Sequence, residues 1–498
     1  MSEIRITYSG LISLIFGIVT IFLGLVFTLI VTRTLEPIEY GTWGLITGLM
    51  VYAVFIEPIV AYWASREIAR GTESGRTIVA SGSLLSIAGI AIYFIAAFIV
   101  GQQSDADNDV LLFGMILIPV LFINRMLSAI NTGWKPHAPL VAAFIFAAIE
   151  IVLALVFVYH LEMGVKGVVL TVTLAYIGSI FVLMNYAKEK LKAKINFKYL
   201  KKWIRLSWLP LYPAIGTTIL LTDITVFSII TGSVIGLAFW IAAAVIAKTI
   251  ENSGLISRAV YAKLLQGHEP KYLENNVTQL FYFAILITAI TITFARQGLF
   301  ILNPVYEVAF PIVIVLSFQM FFYTIRGQFL LFITGVEKVD TKNSSTFKDY
   351  IKSKLFFVPT LILIESIIYI SALTIGLLII KTITDSTMDL LMYWASVSLV
   401  TQIPLFIYSF ILLRRDITIS INFNSIAKYL GTTVIIFGII YFVMEELLVY
   451  NESVYVFIPN VLIYLAAGIL SYIIITYFID SNTKALINSI IKEIKNIT

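Results

Sequence analysis

The chain has 498 residues, of which 59% are hydrophobic and only 13% charged, against about 25% charge in an average soluble domain. With a mean hydropathy of +0.96, this composition excludes disorder, a nucleic-acid-binding domain and an ordinary soluble enzyme; it points to a polytopic membrane protein. Zero cysteines exclude disulfides, thiol catalysis and thiolate metal sites, and three scattered histidines (His137, His160, His268) argue against a histidine metal site, so no cofactor is expected.

A membrane span needs about 20 mostly apolar residues. In chain order, fourteen segments qualify, at 9–32, 42–62, 79–101, 110–131, 139–159, 165–187, 207–231, 233–256, 276–302, 306–334, 356–380, 390–413, 430–449 and 456–479. All read as helices, because the alternating strands of about 10 residues that mark a membrane barrel are missing. The fold class expected is therefore all-α, a polytopic membrane protein with fourteen transmembrane helices. The first span is long, follows a short polar start with little positive charge and lacks a small-residue cleavage site, so it reads as a retained helix.

Lysine and arginine orient the bundle. With the N-terminus in the cytoplasm, alternating inner segments hold 28 of the 34 bases, Arg125 and Lys135 among them. The outer segments hold four, Arg33, Lys166, Arg296 and Lys381, and Lys248 and Arg326 lie within spans. This asymmetry is the positive-inside pattern, and it predicts both termini in the cytoplasm of a cell with this protein in its plasma membrane. No loop is much longer than about 20 residues, too short for a folded domain.

The segment at 39–71 and the segment at 234–267 share spacing. Gly41 aligns with Gly236, Glu57 with Glu251, and Gly71 with Gly267. Spans one and seven also start on the same side. Spans 1–6 and 7–12 are thus expected to form two six-helix lobes of the same orientation around a cavity, with two helices left over. The expected division is 1–206 for the first lobe, 207–413 for the second, and 414–498 for the two extra spans and a tail.

Several motifs carry a family resemblance. RTLEPIEYGTWGLITGL at 33–49 closes span one and opens span two, SREIARG at 65–71 follows it, LNPVYEVAF at 302–310 links spans nine and ten, and ITGVEKVD at 333–340 leaves span ten. Together these resemble the polysaccharide and oligosaccharide flippases of the multidrug/oligosaccharidyl-lipid/polysaccharide exporter superfamily. The family usually has a glycine after the Arg-x-Leu of the first loop, where Glu36 stands here. The resemblance implies two lobes of six helices, alternating access, and movement of a polyprenyl-linked sugar from the inner to the outer leaflet.

Ionisable groups inside spans are costly and so are candidates for function. Those of this chain are Glu57, Glu150, Asp223, Lys248, Glu251, Arg326 and Glu365. Lys248 and Arg326 are the basic candidates for a substrate phosphate, with Glu251 holding Lys248 when the site is empty and Glu57 at the inner end of span two. Each also has a structural reading. Lys248 and Glu251, three apart, would neutralise each other. Arg326 would snorkel to the headgroups. Glu57, before Pro58, would brace the end of span two, and Asp223 would cap a broken helix. Glu150, Asp223 and Glu365 lack an obvious local base and are the candidates for coupling to a proton or sodium ion.

Five carboxylates against two bases leave a second reading open, a cation- or proton-coupled small-molecule exporter of the same superfamily. A third is a membrane-embedded glycosyltransferase or polymerase. It would carry a large outer loop with catalytic carboxylates, whereas Asp105, Asp107 and Asp109 form only a short acidic turn. The partners expected are a lipid-linked sugar and membrane lipids, without nucleic acid, for a monomer. The basic inner loop at 188–208 places Leu200, Trp203 and Ile204 at helical spacing, as a surface helix on anionic lipid would.

Overall fold

The computed structural model describes residues 19, 20, 22–257, 271–337, 339, 347–417 and 421–497. Arg5, the start of the first expected span at 9–18, Gly267 and His268 lie outside the described residues. Every regular element among the described residues is helical. Twelve helices are long and apolar enough to cross a membrane, and a bent pair brings the number to thirteen. Phe22–Thr34 (α1) is a shorter apolar helix. The protein is a multi-pass membrane protein.

The described residues fall into two units by contact, one within Met1–Phe239 and Ile362–Ile383, the other within Trp240–Leu361 and Thr384–Thr498. The helices at 208–231 and the segment 362–383 thus pack with the first unit.

In the first unit, α2 (Pro37–Val54) starts on Pro37, whose missing N–H costs nothing at a helix start, and on a reciprocal cap between Glu36 and Glu39. Pro58 cannot continue that helix. It opens α3 (Pro58–Ala69) instead, and the two halves bend by 66° around Glu57. There follow α4 (Gly75–Gly101), α5 (Asn108–Trp134), α6 (Ala138–His160) and α7 (Gly164–Ala187). Asp107 accepts the N–H groups of Asp109 and Val110 at the start of α5, so the middle acid of the acidic turn is a helix cap.

The basic loop forms α8 (Lys198–Arg205). The sequence gives its apolar face to lipid. In the structure Leu200 and Trp203 instead join the unit's core with Val60, Ile68, Met126 and Leu183, and only Ile204 stays exposed. The indole N–H of Trp203 donates to Glu67 Oε1 at 3.2 Å, and Lys202 pairs with the same oxygen at 3.0 Å. The buried acceptor Glu67 thus holds the helix against protein.

Span seven is broken into α9 (Trp208–Leu220) and α10 (Asp223–Thr231), and Gly232, at φ 72°, ends α10 in the left-handed conformation that glycine adopts without strain. The turn that follows is clasped by Asp105, which accepts the Val234 N–H at 2.7 Å and the Ser233 hydroxyl at 3.1 Å. A Cβ at Gly41 would overlap the Val234 carbonyl oxygen, so the glycine allows α2 to lie against this turn.

The second unit holds most of α11 (Ile235–Ala247, tightening to a 3-10 stretch at Lys248–Ser257), then α12 (Lys271–Thr293), α13 (Ala295–Leu302) and α14 (Phe310–Gly335). After them come α15 (Lys354–Lys381), whose C-terminal part belongs to the first unit, α16 (Thr387–Asp416), α17 (Phe423–Leu447), α18 (Val454–Ile479) and an amphipathic α19 (Ser481–Ile497). Trp240 and Trp394 stack at 3.7 Å and fix α11 on α16.

Asp480, between α18 and α19, anchors the last helix. It accepts the Ser425 hydroxyl at 2.6 Å, the Tyr429 hydroxyl at 2.7 Å, and the Thr483 N–H at 2.9 Å. Burial works against its ionised form, but these donors win and hold its carboxyl below the usual carboxylate range. A depressed folded value gives stability that is full above the unfolded value, about 3.9, and is lost as pH falls through the folded one. Asp480→Asn is expected to cost about 2 kcal/mol at pH 7. The gap from wild type should close below about pH 4, and thermal melts of the purified protein across pH read both effects.

Candidate functional site

The bend at Glu57 builds a polar cluster in the first unit. Glu57 is 9% exposed, and its Oε2 meets Nη1 of Arg125 on α5 at 3.4 Å. Arg125 therefore stands within a span helix, nine residues before its end at Trp134. The sequence count had put this arginine on the inner flank. Tyr176 on α7 lies within electrostatic reach of both Arg125 and Glu150, and its ring meets Phe146 at 4.6 Å. Glu150 on α6 is 7% exposed and has no hydrogen bond among the described residues. Two carboxylates, one guanidinium and one phenol thus gather on facing helices. This set can hold a proton or a small cation beside the Glu57–Arg125 pair.

A second group lies where span seven breaks. Asp223 is the first residue of α10, as a break-capping acid would be, and the Tyr369 hydroxyl of α15 donates to its Oδ2 at 2.9 Å. Tyr52 on α2 lies near Thr225 and within electrostatic reach of Asp223. On the same face of contact, Ser366 donates to the Gly216 carbonyl at 2.6 Å, and Glu365 beside it is 2% exposed. A Cβ at Gly216 would lie 2.9 Å from the Leu363 nitrogen, so α9 and α15 cross closely there. Glu150, Asp223 and Glu365 all fall in the first unit.

Lys248, Glu251 and Arg326 fall in the second. Lys248 opens the 3-10 stretch of α11; both it and Glu251 are exposed, and no ion pair joins them among the described residues. Mutual neutralisation is thus not what this structure shows. Arg326 is 4% exposed on α14, with its guanidinium 5.4 Å from the Tyr323 ring centre. A buried side chain packed on its own helix is not one snorkelling to headgroups. Charge reading found these three residues and Glu57. It missed Tyr52, Tyr176 and Tyr369, because a neutral hydroxyl leaves no signal in a charge count.

The second unit also contains an apolar groove of about 550 Å³. It is walled by α12, α13, α14 and α17, with Ile285, Ile292, Phe318, Phe321, Val434 and Phe437 among its lining. At one end Arg296 pairs with Glu307 at 3.4 Å and Glu445 at 3.3 Å. At the other end of the same helices lies a smaller polar pocket of about 270 Å³. No group of three or more metal-ligating side chains occurs among the described residues.

No family model and no curated protein matches the chain. Solved structures do. The lipid II flippase MurJ, in an inward closed conformation, superposes with a TM-score of 0.62 at 14% identity, over 94% of this chain and 98% of its own. A multidrug resistance MATE family transporter of the MOP superfamily, inward-facing, superposes with a TM-score of 0.56 at 14% identity, over 80% of this chain and 95% of its own. A MATE in the straight conformation gives 0.50 at 14% identity, over 81% and 94%. At 14% identity these likenesses show a shared fold, the one seen in MurJ and in the MATE transporters.

Proposed function

We propose that this membrane protein is a transporter that moves a polyprenyl-linked oligosaccharide from the inner to the outer leaflet by alternating access. It does this as a monomer of the plasma membrane with both termini in the cytoplasm. The observation that carries the reading is the apolar groove of the second unit, walled in part by α17, which answers to the thirteenth expected span. Water-soluble cargo has no use for such a groove, whereas a long hydrocarbon chain needs an apolar track beside the path of its headgroup. The MurJ superposition, which extends over nearly the whole chain, supports the same choice. The 28 inner bases support the cytoplasmic termini.

In this reading Lys248 and Arg326 of the second unit meet the phosphate, with Glu251 holding Lys248 when the site is empty, and Glu57 of the first unit, paired with Arg125, is a further substrate-binding candidate. Glu150, Asp223 and Glu365 couple the cycle to a proton or sodium gradient. The cluster of Glu57, Arg125, Tyr176 and Glu150 gives one specific support to the second reading, a cation-coupled exporter of small molecules. An enzymatic role has less behind it. Asp105 clasps the Val234 turn and Asp107 caps α5, so two of the three acids in the outer turn have structural tasks.

Binding separates the two transport readings. A fluorescent polyprenyl diphosphate saccharide should bind the purified protein at least about tenfold more tightly than ethidium, a typical cationic exporter substrate, which is a difference of about 1.4 kcal/mol. The reverse order would favour the exporter.

A further inference from the structure

The segment 188–207 joins α7 to the broken span that begins at Trp208, so α8 sits at a membrane boundary. It is fixed there from two sides. The Asn196 N–H donates to the Thr77 hydroxyl oxygen at 3.0 Å near the start of α4, and Glu67 of α3 holds Lys202 and Trp203. With Leu200 and Trp203 turned into the core, the rest of the α8 surface has a set orientation.

That surface mixes two chemistries. Phe197 and Ile204, seven apart and so on one face, are 55% and 53% exposed. Lys198, Lys201 and Arg205 run beside them at steps of three and four, and all three are exposed. Lys201 stands between Phe197 and Ile204 along the helix, so bases and apolar groups interleave. Ile195 before the helix and Trp208 after it are exposed as well. From 188 to 205 the chain carries eight bases and a single carboxylate, Glu189.

A basic flank that only sets topology accounts for the bases. It gives no reason to hold a phenylalanine and an isoleucine among them on a helix pinned with those side chains outward. The headgroup layer of a bilayer suits both. Apolar side chains enter the acyl boundary, and lysine and arginine carry their charges up to the phosphates. A negative lipid adds an attraction that a zwitterionic one lacks.

We propose that α8 is a binding site for an anionic phospholipid, with Lys198, Lys201 and Arg205 on its phosphate and Phe197 and Ile204 against its acyl chains. The lipid is a resident of the bilayer, and its binding does not depend on what the protein transports.

The cysteine-free chain allows one reporter at the edge of the site. Full-length Ile195→Cys protein, labelled with a fluorophore, is placed in phosphatidylcholine nanodiscs that contain acyl-brominated phosphatidylglycerol or acyl-brominated phosphatidylcholine, whose bromines quench on contact. Phosphatidylglycerol is expected to reach half-quenching at a mole fraction at least about tenfold lower. Lys201→Gln should reduce that preference about fivefold, the factor one base contributes near a charged surface. Lys198→Gln/Lys201→Gln/Arg205→Gln should remove it, and Phe197→Ser should weaken quenching by both lipids alike. Thermal midpoints equal to wild type confirm that the variants fold. If the triple variant melts early, about 0.5 M salt screens the same charges in the wild type and should bring the two lipids together. Equal quenching by the two lipids in wild type, a folded triple variant that keeps the preference, or a reporter that neither lipid quenches, as beneath a bound protein, would overturn the proposal. A preference measured in protein that moves no lipid-linked saccharide would count against the transport reading alone.

Discussion

Replacing Lys248 or Arg326 by alanine should reduce transport of a lipid-linked saccharide at least about 100-fold while the protein still reaches the membrane. A phosphate crossing hydrocarbon without a fixed cation costs several kcal/mol, and each 1.4 kcal/mol on the barrier is a factor of ten. Arginine at 326 offers a fork to phosphate oxygens, and lysine at 248 offers a point charge. Lys248→Arg should therefore keep part of the activity, and Arg326→Lys should lose most of it. The exposed, unpaired geometry of Lys248 and Glu251 sharpens the test. If the two formed a structural ion pair, Lys248→Ala/Glu251→Ala would recover both stability and transport. No such pair is present among the described residues, so the double variant should stay as inactive as Lys248→Ala. Recovery would defeat the phosphate role of Lys248. Rates in reconstituted vesicles, corrected for protein incorporated, measure all five variants.

The second large effect concerns coupling. Glu150→Gln should abolish the stimulation of transport by an imposed proton or sodium gradient and leave the slow gradient-free rate. Glu150 is buried among α6 neighbours without a hydrogen bond, and Tyr176 and Arg125 are its electrostatic company. Glutamine keeps its size and removes its charge, so the shape of the helix face survives. Asp223→Asn and Glu365→Gln extend the series to the α9–α15 crossing. If all three variants keep the wild-type response to pH and sodium gradients, these carboxylates are not the coupling sites.

The spans were legible because hydropathy is a sum over residues and needs no partner. The bend at Glu57 was not foreseen, since span two was expected unbroken over 42–62, whereas Asp223 was read as capping a broken helix and span seven does break there. Pairing was not legible. Glu57 and Arg125 are 68 positions apart, and only the packing of α3 on α5 brings them to 3.4 Å. Lys248 and Glu251 looked paired because residues three apart share a helix face, yet both side chains stay exposed and no ion pair joins them among the described residues. Leu200 and Trp203 looked lipid-facing for a similar reason. Helical spacing tells which residues share a face, and Glu67, distant in sequence, decides what that face meets.

The central claim is movement of a sugar-bearing lipid across the bilayer. Proteoliposomes loaded on the inner leaflet with a fluorescent polyprenyl diphosphate saccharide test it most directly, with a membrane-impermeant quencher outside. Wild-type protein should expose the label to quencher on a timescale of minutes, and Lys248→Ala and Arg326→Ala vesicles should stay at the protein-free baseline. Wild-type vesicles that remain at that baseline while they accumulate or expel ethidium would contradict the account.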